Sequence, residues 1–196
     1  MPSSNPERDE HVARVRAAQP RFRDAIVRDA LTTLYHSGDG RAFSSRRDAI
    51  VRIGRLAWSN DAFLAQALYR AKARMRALGI PLAPWIAHRL AMTLAQVAID
   101  DSVVIEPGVC ISHGQVVIGG VTTIAEGTLI APFVSIGLVA GNFTGPTIER
   151  SVVVGTGARV LGPIRVGARA TIGANAVVVR DVPADATVVG VPARPV

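Results

Sequence analysis

One cysteine, Cys110, stands in 196 residues. It excludes an internal disulfide and any multi-cysteine zinc site, and it fits a reducing compartment. Aromatics make up only 5% of the chain. No apolar run reaches the length of a membrane span; the best candidate, Leu82 to Ile99, is interrupted by His88 and Arg89. The first residues, MPSSNPERDE, lack the basic-then-apolar layout of a secretory signal, so a cytoplasmic location is expected. Charged residues are few at 19% against 49% hydrophobic, the balance of a globular chain rather than a disordered one. The imbalance of sign is larger: 22 Lys and Arg against 15 Asp and Glu, a net charge of +7. Many of the cations fall in the first half, at Arg46, Arg47, Arg52, Arg55, Arg70, Lys72, Arg74 and Arg76. They are read as a solvated helix face, because aromatic interleaving and any nucleic-acid motif are absent, and no nucleic-acid partner is expected. A positive chain also attracts anionic ligands at longer range.

What the chain has is a period. From Ile99 onward a branched aliphatic residue returns every six positions: Ile99, Ile105, Ile111, Ile118, Ile124, Ile130, Ile136, Ile148, Val154, Val160, Val166, Ile172, Val178. The step from Ile111 to Ile118 is seven, and one beat is missed between Ile136 and Ile148. Six is neither the 3.6 of a helix nor the 2 of a flat strand. It suits a triangular coil with three short strands per turn and one aliphatic knob per side pointing inward. Residue i then stacks on i+18, and the run holds between four and five turns. Residues just after the knob, such as Gly119, Gly155, Gly167 and Gly173, are read as corners that need unusual angles or close approach. Those four past it, such as Val103, Thr122, Ala158 and Ala176, are read as filling the narrow interior. The missed beat, Val139–Pro146, is read as an ejected loop, a usual place for function.

The preceding part is helical. Phe22, Ile26, Leu31 and Leu34 mark a helix over 21–36. Ser44 or Ser45 caps a second helix to about Trp58, with Ile50, Ile53 and Ala57 on its apolar face. Asn60 or Asp61 caps a third to about Leu78, and Pro84 opens a fourth to about Val97. Trp58, Trp85, Tyr69 and Met75 are expected in the core of this cap. The fold class is therefore α+β, a helical cap followed by a parallel β-helix with one ejected loop. The divisions are a mobile segment over 1–20, a helical domain over 21–98, the repeats over 99–181 and a tail over 182–196.

The six-residue repeat, the segment His113-Gly-Gln-Val-Val-Ile-Gly119 with its extra residue, the ejected loop and the closing Gly190-Val-Pro-Ala-Arg194 resemble the hexapeptide-repeat acyltransferase superfamily, specifically its serine O-acetyltransferase branch. The resemblance implies a left-handed β-helix, assembly as a homotrimer or a dimer of trimers, and an active site in the cleft between neighbouring coils. It implies acetyl-CoA as donor, no metal, and a hydroxyl acceptor activated by a histidine matching His113. A general base is needed because a hydroxyl is a poor nucleophile near neutral pH. His113 is the one histidine in the repeats, whereas metal-dependent carbonic anhydrases of this fold need three around zinc. The resemblance places coenzyme A on Gly137, Thr156 and Ala174, with Arg180 and Arg194 at its phosphates. It places the acceptor near Ser112, Asn142, Phe143 and Thr144.

The departures concern that acceptor. The family's aspartate before the first repeat is Ala98 here, its aspartate before the histidine is Ser112, and the Arg-His pair of its loop is Thr144-Gly145. Losing the Arg removes the natural fork for a carboxylate. The expected acceptor is accordingly a sugar or specialised metabolite rather than free serine. The alternatives are a true serine O-acetyltransferase, a non-catalytic scaffold, and an N-acetyltransferase of an amino sugar. Asp100, Asp101 and Glu106 are the candidates to orient His113, and Cys110 reads as a buried small hydrophobe.

Overall fold

In the computed structural model the described residues are 10, 13, 14 and 17–196. Most of the 1–20 segment expected to be mobile lies outside them. The expected four-helix cap is found as α1 (Phe22–His36), α2 (Arg46–Ser59), α3 (Asp61–Ala77) and α4 (Ala83–Ala95). Sequence signals set the starts. Ser45 Oγ accepts the Asp48 N–H at 3.1 Å to cap α2, and Asn60 Oδ1 accepts the Phe63 N–H at 2.8 Å to cap α3. Pro84 occupies the first turn of α4. That helix stops before Val97, because Gln96 takes a left-handed conformation that turns the chain into the coil.

The coil is a left-handed parallel β-helix of about five turns. Its first sheet stacks β1 (Val97–Ile99), β4 (Val116–Ile118), β7 (Ser135–Gly137), β10 (Arg159–Leu161) and β13 (Val177–Val178). The second stacks β2 (Val104–Ile105), β5 (Val121–Ile124), β8 (Thr144–Ile148) and β11 (Arg165–Val166). The third holds β3 (Cys110–Ile111), β6 (Leu129–Ile130), β9 (Val153–Val154), β12 (Thr171–Ile172), β14 (Thr187–Val189) and β15 (Arg194–Pro195). Every knob of the six-residue period is buried, and the register joins them: Ile118 pairs with Ile136, Val154 with Ile172 and Val160 with Val178, each eighteen residues apart. Burial of each such side chain contributes roughly 1.5–3 kcal/mol. The interior positions four past the knob are likewise fully buried.

Three details differ from the sequence reading. The left-handed corners fall three residues after the knob, at Phe133, Ser151, Arg169 and Asn175, not directly after it. The glycines directly after the knob serve close approach instead: a Cβ on Gly155 would stand 2.7 Å from the Ile172 carbonyl oxygen of the next turn. The ejected loop is shorter than expected, covering 138–143, because Thr144-Gly145-Pro146 already belong to β8. Beyond Asp181, where the six-residue period ends, stacking continues at a sixteen-residue step, with Thr187 beside Thr171 and Val182 bridging to Val166.

The cap is not packed as its apolar pattern suggests. Trp58 is 91% exposed and Trp85 58%, Met75 is half-buried, and Ile50 is exposed; Tyr69, Leu56 and Phe63 are the buried ones. The apolar side of α4 turns outward because the face it offers to α3 and the coil is alanine: Ala87, Ala91 and Ala95. Most of the charge run is solvated, but Arg70 and Lys72 are buried, at 2% and 4% exposure. The reason is the open end of the coil. Its first turn has no strand above it, so carbonyl groups there lack ladder partners. One face of α3 supplies them. Gln66 donates to Val109 O at 3.0 Å, Tyr69 to Val103 O at 2.6 Å, Arg70 to Glu106 O at 2.9 Å and Lys72 to Ile99 O at 2.7 Å. Asp29 of α1 balances Arg70 at 2.9 Å and accepts the Gly108 N–H at 2.8 Å. Burial pushes the Asp29 carboxyl upward, against the pull of Arg70 and Gly108.

Candidate active site

The extra residue at the seven-residue step builds the site. Between β3 and β4 the chain runs Ser112-His113-Gly114-Gln115, and Gln115 sits at φ 64°, a conformation costly for a residue with a side chain. The end of α4 holds this corner in place. The Gln115 N–H donates to Ala95 O at 3.2 Å, and a Cβ on Gly114 would lie 2.0 Å from that same oxygen. No side chain fits there, so the corner rests directly on the helix and turns the His113 ring outward into solvent. Gly114→Ala is expected to break this contact, costing about 1–3 kcal/mol of stability as overpacking does and shifting His113 enough to cut turnover by about 10²-fold. Chemical denaturation and initial rates on one preparation check both effects; wild-type values in each sink the assignment of this corner.

His113 opens on a groove of about 490 Å³. Asn60 and Asp61 at the start of α3, Gln96 after α4, Gln115, and Phe133 of the next corner line it with the histidine. The sequence reading missed these polar residues as site components. Asn60 and Asp61 were legible only as helix caps, and no repeat signal links α3 to His113.

The expected donor residues divide between two edges of the coil. Two residues past each knob of the third sheet stand His113, Pro132, Thr156 and Ala174, stacked on the edge between the third and first sheets by the register of Ile111, Ile130, Val154 and Ile172. Thr156 and Ala174 are exposed there, and the Asn175 N–H donates to Thr156 O at 2.8 Å. Gly137 ends β7, and Arg180 follows β13, on the opposite edge of the first sheet. The 138–143 loop leaves from that same edge. Arg194 lies exposed on β15, with the neighbouring Ala193 N–H donating to Val177 O at 2.8 Å.

The acceptor candidates are likewise separated. Ser112 adjoins His113 and donates to Ile130 O at 3.3 Å. Phe143 packs on Val104 and Val121, and Asn142 Oδ1 accepts the Thr144 N–H at 2.8 Å, both around the loop. The three carboxylates weighed as orienting groups have other partners. Asp100 accepts the Gly120 N–H at 3.4 Å and Glu106 the Glu126 N–H at 3.0 Å, while Asp101 pairs with Lys72 at 3.0 Å and with Arg76. Burial works against the charge of Asp101, but these two cations outweigh it and hold the carboxyl below its ordinary value. Cys110 is buried, and desolvation pushes its thiol up, which is the environment of an inert cysteine. Among the described residues no group of three or more His, Cys, Asp or Glu could hold a metal ion, and no helix is long and apolar enough to cross a membrane.

No protein-family model matches the chain. It is similar to the serine acetyltransferase of Synechococcus elongatus, 41% identical over 119 residues, covering 59% of this chain and 48% of that protein. To the serine acetyltransferase of Mycobacterium tuberculosis it is 40% identical over 130 residues, covering 59% and 57%. The chain spans about half the length of these curated relatives. The solved Neisseria gonorrhoeae serine acetyltransferase in complex with serine superposes with a TM-score of 0.73 at 25% identity, over 95% of this chain and 73% of that one. A serine acetyltransferase solved in complex with CoA superposes with a TM-score of 0.72 at 26% identity, over 98% and 79%. The resemblance carried by the repeats, the His113 segment and the closing residues is borne out by these likenesses: the chain is a hexapeptide-repeat protein similar to the serine O-acetyltransferase branch.

Proposed function

We propose that this chain is an acetyl-CoA-dependent serine O-acetyltransferase, acting in the cytoplasm as a homotrimer or dimer of trimers. The observation that carries the reading is His113, held outward by a strained corner on the coil edge that also presents Thr156 and Ala174. On acceptor identity the sequence expectation is revised. A sugar or specialised metabolite was favoured there over free serine, but the relatives are named serine acetyltransferases and one is solved with serine. Serine is therefore the acceptor proposed.

His113 takes the hydroxyl proton as the acceptor oxygen bonds to the thioester carbonyl carbon. The carbonyl electrons move onto oxygen, and backbone N–H groups in the cleft stabilise that oxyanion. Collapse re-forms the carbonyl and breaks the C–S bond; the departing thiolate takes the proton back from the imidazolium. No covalent enzyme intermediate is needed, in keeping with a buried Cys110.

The split of donor residues between two edges supports the assembly. Thr156 and Ala174 lie across the first sheet from Gly137 and Arg180, so one chain cannot close both sets on one coenzyme A. Two coils packed side by side bring one edge of each together. Arg180→Ala with Arg194→Ala is expected to raise the KM for acetyl-CoA about 10-fold or more, since charge-assisted phosphate contacts each contribute about 1.5–3 kcal/mol. An unchanged KM overturns their placement. The reading as a whole is tested by thiol release from acetyl-CoA with L-serine beside a panel of sugars and hydroxylated metabolites. Turnover on another hydroxyl but not on serine removes serine as acceptor.

A further inference from the structure

We propose that the outward side of α4, with the turn before it, docks on an anionic lipid surface. Between Leu82 and Leu94 the exposed positions carry six large apolar side chains: Leu82, Trp85, Ile86, Leu90, Met92 and Leu94. Only Arg89 and Thr93 interrupt them. Leu78 and Ile80, in the turn from α3, are exposed as well. Single apolar residues scattered on a surface need no partner, but a continuous patch along one side of a helix marks an interaction site. The side that faces the protein is already filled by Ala87, Ala91 and Ala95, so these larger groups have no inward alternative.

The charge of the segment selects the partner. From Ala62 to Ile99 there is no Asp or Glu, whereas Arg70, Lys72, Arg74, Arg76 and Arg89 all fall within it. Arg70 is tied to Asp29, and Lys72 and Arg76 to Asp101. Arg74 and Arg89 are exposed, and among the described residues neither pairs with a carboxylate. Arg89 lies over the Trp85 ring at 5.0 Å. A cation beside an amphipathic ring suits the headgroup level of a bilayer. Arginines bordering an apolar face are drawn to anionic headgroups, and the net charge of +7 adds attraction at longer range. A second copy fits this face poorly. A two-fold contact sets the same residues against each other, and a segment without a carboxylate brings cation against cation. The 13 residues of α4 reach about 20 Å, short of the roughly 30 Å hydrocarbon core, so the helix lies along the surface rather than across it. Docking here is independent of the chemistry at His113.

The test is co-sedimentation of the full chain with phosphatidylcholine vesicles, either pure or carrying about a third phosphatidylglycerol. Wild type is expected to bind the anionic vesicles at least about 10-fold more tightly than the neutral ones, with the difference shrinking as salt rises. Ile86→Gln with Leu90→Gln is expected to weaken that binding about 10-fold or more, while the unfolding midpoint and the mass by light scattering stay as in wild type. Arg74→Gln with Arg89→Gln removes most of the preference for anionic vesicles. In Trp58→Phe, which leaves Trp85 as the one tryptophan, emission shifts to the blue when anionic vesicles are added. Wild type that stays in the supernatant with both vesicles overturns the assignment, as does unaltered binding by Ile86→Gln/Leu90→Gln. A fall in mass for that variant overturns it too, because the face then belongs to a contact between copies.

Discussion

His113→Ala is expected to lower kcat for acetyl transfer to L-serine by about 10²–10⁴-fold, the usual contribution of a positioned general base. The fold should not notice. The ring is exposed, and no hydrogen bond to it is found among the described residues, so its removal falls among surface changes of within about 0.5 kcal/mol. Thiol release and thermal unfolding on the same sample separate the two effects. Near-wild-type turnover with an unaltered unfolding midpoint would mean another group takes the proton, and the mechanism would have to be redrawn around it.

Arg70→Ala should do the opposite, acting on stability before chemistry. Its guanidinium pairs with Asp29 at 2.9 Å and donates to the carbonyls of Ile105 and Glu106, all out of water. Truncation strands a buried carboxylate and two carbonyls at the open end of the coil. Breaking one partner of a buried pair costs about 3–5 kcal/mol. The sign with pH follows from Asp29. Burial already raises its folded-state pKa, and loss of Arg70 removes an opposing influence, so the folded variant binds a proton more readily than the unfolded chain. The defect relative to wild type is therefore largest above the raised pKa and shrinks as pH falls toward the ordinary carboxylate range. Urea unfolding at two pH values checks this, with Asp29→Asn/Arg70→Leu expected to cost less than the sum of the single changes. A defect under 1 kcal/mol, independent of pH, would show that the pair does not hold the cap to the coil.

Some elements were plain in the residue order because they obey local rules. A knob every six residues can bury itself only in a three-sided coil, and all knobs from Ile99 to Val178 do so. Ser45 and Asn60 cap their helices because a short polar side chain can accept a nearby amide whatever lies beyond. His113 was visible because the extra residue beside it breaks the period. The outward turn of Trp58 and Trp85 was not legible, since an apolar stripe says that a face seeks cover and not which face the neighbouring alanines leave free. Arg70 and Lys72 read as solvated for a similar reason: burial of a charge depends on partners distant in sequence, here Asp29, Asp101 and the unpaired carbonyls of the first turn. Asp61 read as a cap for the same cause, and only the approach of α3 to the His113 corner places it in the groove. Periodicity and capping are carried by the chain's own spacing. Pairing across the coil's open end, and the walls of a groove drawn from four separate segments, come into being only when those segments meet.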